Sequence, residues 1–140
     1  MTFYKLKQHA IPGICTPKLF DDSERKHIQH QIANYVKQCI KKKLDKGPDG
    51  MRVTISDNMI IIRIERYLTK MEKYVIEKEP NGVETVRCMR TDAATGIINE
   101  GEIIFFMEKL VQAKAVYALY DSYPQDEYCV MLFMFDRILA

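Results

Sequence analysis

Histidine is scarce and lopsided: the only three, His9, His27 and His30, precede residue 31, and tryptophan is absent altogether. Glu24 and His27 form an E-x-x-H fragment on a helical stretch. Di-iron bundles use that fragment twice, with further glutamates on facing helices, and no second copy exists here. A cysteine–histidine nucleophile pair would have to recruit one of these three imidazoles through space, and no cysteine has a local activating signature. The four cysteines, Cys15, Cys39, Cys88 and Cys129, include no C-x-x-C pair, which excludes a zinc ribbon and a thioredoxin-like motif. Nothing in the chain reads as a cofactor-binding motif, and the reading leans away from an enzyme.

Long apolar runs are also missing. The longest, "CVMLFMF" at 129–135, falls far short of the roughly 20 residues of a membrane-spanning helix. His9, Pro12 and Lys18 break up the first twenty residues, which therefore read as neither signal peptide nor anchor. Cysteines spread through such a chain read as reduced thiols in or near the core, and the cytoplasm is the natural compartment. There is no internal repeat and no low-complexity segment.

What remains is the composition of one ordinary globular domain: 140 residues, 47% apolar and 29% charged. The net charge of +2 is unevenly placed. Residues 1–48 carry ten Lys or Arg against four Asp or Glu, and the remainder carries eleven against fifteen. Such asymmetry suits either a basic surface or a basic helix packed beside an acidic one.

Residues 1–20 read as an extended arm, and 21–140 as a single α+β domain. "DDSER" supplies a helix start. Ile28, Ile32, Tyr35, Val36, Cys39, Ile40 and Leu44 then recur at helical spacing, with Lys37, Lys41 and Lys42 largely off the stripe. Gly47 stands where a C-cap glycine belongs, Pro48 ends the helix, and Pro48-Asp49-Gly50 reads as a turn. The G-x-x-G from Gly47 to Gly50 lacks Walker spacing and leads into a strand rather than a second helix, so a nucleotide clamp is disfavoured.

"MRVTIS" and "MIIIRIER" form a hairpin about Asp57-Asn58, both tolerant of the positive φ that a tight turn needs. Its predicted register sets Ile55 opposite Ile60, Val53 opposite Ile62 and Met51 opposite Ile64 on one face. Arg52 and Arg63 share the other. Thr69 and Glu72 have capping-box spacing. A short helix ends at Pro80-Asn81-Gly82, and a second stretch carries Val86, Met89 and Arg90. Thr95-Gly96 and Gly101 interrupt the helical pattern, which resumes over 102–111 with Ile103, Phe106, Met107 and Leu110 inward. "KAVYALYD" and "EYCVMLFMFD" form a second hairpin through "SYPQ". Tyr117, Leu119, Cys129, Met131, Phe133 and Phe135 are candidates for a sheet face left uncovered by helices. The expected architecture is a four-stranded, mainly antiparallel sheet with helices on one side, in the order α-ββ-α(α)-ββ. An apolar open face favours a homodimer.

The landmarks Lys46-Gly47-Pro48, "VTISDNMIIIRIE", Leu68-Thr69 with Glu72, and then Arg90, in that order over about residues 23–136, resemble the MpsC-like family. That family is named as an accessory component of a membrane-potential-generating, sodium-translocating system. The resemblance implies a protein partner, possibly a membrane protein, and a place in the cytoplasm or peripherally at a membrane. It carries no catalytic residues with it. Its members have a long helix before the third strand, which Thr95-Gly96 and Gly101 interrupt here, and their helix-ending Thr-Gly is replaced near Gln112-Ala113.

Lys46, Arg52, Arg63 and Arg90 are the candidates for partner or anion binding, while Gly47, Pro48, Leu68, Thr69 and Glu72 read as structural. The leading expectation is a non-enzymatic accessory or regulatory subunit. An alternative is a nucleic-acid-binding or regulatory module using the basic first helix and the 47–50 loop. A third is a small-molecule sensor or enzyme, which requires a deep polar-lined cavity holding Arg90.

Overall fold

The computed structural model describes residues 1–7 and 19–140. His9, Pro12, Cys15 and Lys18 lie outside the described residues. The elements run β1 (Thr2–Lys5), α1 (Asp22–Leu44), β2 (Gly50–Ser56), β3 (Met59–Glu65), α2 (Lys70–Lys78), α3 (Gly82–Glu100), α4 (Glu102–Val111), β4 (Ala115–Tyr123) and β5 (Tyr128–Phe135). All strand pairings are antiparallel, in the order β1-β4-β5-β3-β2. The sheet thus has five strands, not four.

The extra strand comes from the start of the arm. Phe3 pairs with Leu119, and Tyr4 turns inward to hydrogen-bond Thr95 through the two hydroxyls at 2.6 Å. A four-residue strand is too short for its alternation to be distinguished from an irregular segment.

Asp21 caps α1, and Glu24 closes the box by accepting from the Asp21 amide. Ile28, Ile32, Val36, Cys39 and Ile40 are buried along one stripe. The helix does not end at a glycine cap. Asp45, with φ 63°, takes the left-handed position directly after Leu44, a conformation that Asp tolerates better than most residues. Gly47 comes two residues too late for that role and lies against Lys37 and Lys41 of α1. Nor do Pro48-Asp49-Gly50 form a hydrogen-bonded turn: Pro48 is buried, and the Asp49 amide donates to the Arg66 carbonyl as the chain enters β2.

The β2–β3 hairpin has the register that the apolar pattern predicts, Ile55 to Ile60 and Val53 to Ile62, with Asp57 in the left-handed conformation. A bulge between Ala115 and Tyr117 resets the parity of β4, so that Ala115 and Ala118 both face inward. The six residues expected on the uncovered face divide. Cys129, Met131, Phe133 and Phe135 are buried beneath the helices, while Tyr117 and Leu119 point to the opposite side. On that side Phe3 is 57% exposed and its ring lies 5.1 Å from that of Tyr117, tilted by 33°.

Gly96 does not break α3. Val86, Arg90, Ala94, Ile97 and Ile98 are buried along it, and their packing outweighs the roughly 1 kcal/mol that an internal glycine costs. The chain turns instead at Gly101, whose φ of 77° ends α3 and starts α4. Of the two interruptions expected, only the one at Gly101 forms, and the second helix ends on Gln112, which is itself left-handed with φ 55°. An added Cβ at Gly96 would meet nothing within 4 Å. Gly96→Ala is therefore expected to raise the unfolding free energy by about 0.5–1 kcal/mol, read as an upward shift in the urea midpoint at constant slope.

Candidate functional site

The motif residues converge where α1 ends, α2 begins and α3 passes behind them. Thr69 is the N-cap of α2: its hydroxyl accepts from the Glu72 amide at 3.2 Å, and the Thr69 amide donates to Glu72 Oε1 at 2.9 Å. The same carboxylate receives Arg90 from α3 as a fork, Nε to Oε2 at 2.7 Å and Nη2 to Oε1 at 2.6 Å. Arg90 Nη2 also donates to the Tyr67 carbonyl at 3.0 Å, and its guanidinium lies 4.9 Å from the centre of the Tyr67 ring. From the loop after α1, Lys46 Nζ donates to the Leu68 carbonyl at 2.6 Å. One glutamate therefore caps one helix and anchors the next.

The Arg90 and Glu72 side chains are only 10% and 9% exposed. Burial works to raise the Glu72 carboxyl, but hydrogen bonds from Arg90 and Thr69 and the charge of Arg90 outweigh it and hold the group below its ordinary value. The planar fork of arginine suits a bidentate carboxylate, and here that carboxylate belongs to the chain itself.

Beneath Arg90 lies a cavity of about 40 Å³, lined mainly by apolar side chains from α1, α3 and the sheet together with Tyr67, Tyr120 and Cys129. It has room for one or two waters but not for a metabolite, whose pockets start near 300 Å³. The Tyr67 hydroxyl and Ser122 Oγ are buried and find no hydrogen-bond partner among the described residues. Burial pushes the Cys129 thiol up to about 12, and the Tyr67 and Tyr120 hydroxyls upward as well. Cys129 is thus a neutral core thiol, with none of the thiolate character a nucleophile needs. Cys39 is buried too, whereas Cys88 is exposed on α3 and departs from the core placement expected of these thiols.

On the outer side of this site, a groove of about 220 Å³ is lined by Leu44, Thr69, Glu72, Met89, Arg90 and Ala93. Met89 on α3 and, on α2, Met71 and Tyr74 are large, apolar and exposed, at 53%, 76% and 61%. Arg52 and Arg63 are nowhere near. They stand opposite each other on β2 and β3, on the face away from the helices. Among the described residues neither forms an ion pair or hydrogen bond through its side chain.

A second polar cluster, joining α1 to α4, is not foreshadowed by any motif. Tyr35 stacks on Phe106 with ring centres 3.9 Å apart and donates to Glu102 at 3.1 Å, while Lys43 pairs with both Glu100 and Glu102. The hydrogen bond from Tyr35 is the main cause of a lowered Glu102 carboxyl. Lys43 and Lys46 of the basic run are thereby tied to the fold. Among the described residues, no three of His, Cys, Asp and Glu gather as metal ligands, and His30 contacts Asn34.

A family model described as "Na+-translocating membrane potential-generating system (MpsC)" matches residues 24–137. An uncharacterized protein of Bacillus subtilis (strain 168), YrhF, is 26% identical over 108 residues, which cover 77% of this chain and 87% of that protein. No solved structure matches.

Proposed function

Because the chain belongs to the MpsC family, we propose that it is a non-enzymatic accessory subunit that docks on a membrane-embedded partner of a sodium-translocating, potential-generating system. The carrying observation is the family match across nearly all of the domain. No helix among the described residues is long and apolar enough to cross a membrane, so translocation in such a system falls to another chain. The docking surface in this reading is the α2–α3 side, where Met71 and Tyr74 of α2 are exposed and Met89 of α3 lines the groove over Thr69 and Arg90. The Glu72–Arg90 pair holds those two helices in one arrangement, so Arg90 acts as a positioning residue. The small apolar cavity gives no support to a metabolite sensor. The internal ties of Lys43 and Lys46 weaken the nucleic-acid alternative.

The test is affinity capture from gently solubilised native membranes, with wild type beside a Met71→Lys/Tyr74→Lys double variant of confirmed stability. The expected result is a polytopic membrane protein recovered with wild type and depleted with the variant. Recovery of nucleic acid, or of soluble proteins only, would overturn the proposal.

A further inference from the structure

The helices cover one side of the sheet, and the other side is uncovered in the described chain. Its side chains fall in rows across the strands. In one row Arg63 on β3 and Asp121 on β4 flank Val130 of β5 from opposite sides. In the next, Ile61 and Leu119 flank Leu132, and in the one after that Met59 and Tyr117 flank Met134. With β5 the middle strand of five, the three central strands are close to balanced about it in shape and opposite about it in charge at the Arg63–Asp121 row.

We infer that this face binds a second copy of the chain across a two-fold axis running along β5. Such an axis turns β3 of one copy onto β4 of the other. Arg63 then meets Asp121 of the second copy, and the reciprocal contact repeats the pair. Ile61 meets Leu119, Met59 meets Tyr117, and Val130, Leu132 and Met134 lie over their own counterparts. Across these three strands opposite charges meet twice and apolar surface meets apolar surface, as an isologous interface requires.

The alternative axis, across the strands through the Leu132 row, fails this test. It would lay Arg63 over Met59 of the second copy and bury a guanidinium against thioether and aliphatic surface without a partner.

Three further observations favour a second copy. Among the described residues Arg63 has no side-chain partner, and Asp121 keeps 36% of its side chain exposed. Its contacts within the chain are the Ser122 amide at 2.9 Å and the terminal amine at 3.8 Å. With a fourth row in which Glu65 and Tyr123 flank Tyr128, rows about 7 Å apart on five strands about 4.8 Å apart make a patch of roughly 650 Å² in plan. With side-chain relief this approaches the ~800 Å² per partner of a stable interface. Two twisted sheets also pack well with strands within about 30° of alignment, which an axis along β5 produces. The inference does not rest on the accessory-subunit reading, and it leaves the α2–α3 side of both copies free.

Sedimentation equilibrium on the intact chain at micromolar concentration tests it, with circular dichroism and urea midpoints as controls for folding. Wild type is expected to sediment as a dimer. Arg63→Asp and Asp121→Arg, each placing like charges across the axis, are each expected to weaken association roughly tenfold or more. The Arg63→Asp/Asp121→Arg double variant is expected to restore it. A wild-type monomer would overturn the inference, whether or not it binds anionic phospholipid vesicles. So would single variants that remain fully dimeric, or a folded double variant no tighter than the singles.

Discussion

Arg90→Ala is expected to lower the unfolding free energy by about 3–5 kcal/mol, because it strands the Glu72 carboxylate in a buried site. For a chain of this length that corresponds to a fall of roughly 10–15 °C in Tm. Glu72→Ala should cost a similar amount, since it leaves Arg90 unpaired and also removes half of the α2 capping box. The two losses are not additive: Arg90→Met/Glu72→Leu should recover much of the loss, because an apolar pair leaves no buried charge behind. Chemical denaturation of the four proteins measures the coupling directly.

The pair also sets a pH signature. The folded Glu72 carboxyl titrates below its ordinary value, so in the acid range the unfolded chain binds more protons than the folded one. Its contribution is complete above the ordinary glutamate value near 4.3 and is lost as pH falls through the lower folded value. Glu72→Gln should flatten this acid limb of the stability profile. An unchanged limb in that variant would show that other carboxylates dominate it.

The second large effect is expected at Gly82. A Cβ built there would run into the Val75 carbonyl oxygen and lie 2.7 Å from Ile76 Cα. These are backbone atoms, so no rotamer change relieves the contact. Helix α3 starts against the last turns of α2, and alanine forces the two apart. Gly82→Ala is expected to cost about 3 kcal/mol, the upper part of the range for overpacking. The displacement would also loosen the Glu72–Arg90 link between these helices. Gly96→Ala is the internal comparison: the same change in the same helix, with stabilisation expected. If urea midpoints moved the same way for both, steric space would not be what decides glycine use in α3.

What could be read from the sequence was local. The β2–β3 register followed from alternating side chains about one short turn, and the α2 cap from Thr69 and Glu72 three residues apart. Helix α4 followed from an apolar stripe of ordinary spacing. Sequence and structure part where a distant contact or a fine conformational choice decides. Asp45 and Gly47 both suit a left-handed cap, and only the point where α1 stops packing chooses between them. Gly96 is tolerated because buried neighbours hold α3 straight. Which residues of β4 and β5 lie beneath the helices depends on the bulge near Val116, which local alternation conceals.

The candidate site divides in the same way. Arg90 and Glu72 each stand out in the sequence, but nothing local announces that one grips the other. Nothing local marks Asp121, because its relation to Arg63 passes through Val130 and β3 is distant in sequence from β5. The Tyr35–Glu102–Lys43 cluster had no signal beyond a lysine within a basic run.

The strand order β1-β4-β5-β3-β2 has a consequence in time. Each hairpin, β2–β3 and β4–β5, closes a short loop and can form on its own. Their seam pairs residues 59 and 134, and β1 attaches by pairing residues 2 and 120, so both wait for a long stretch of chain to be gathered. Of the two, β1 has four residues and one neighbour, whereas the seam lies at the centre of the sheet. Amide hydrogen exchange should therefore find β1 releasing its protons first and β3 and β5 last, and the refolding rate should be set by the meeting of two hairpins that already exist.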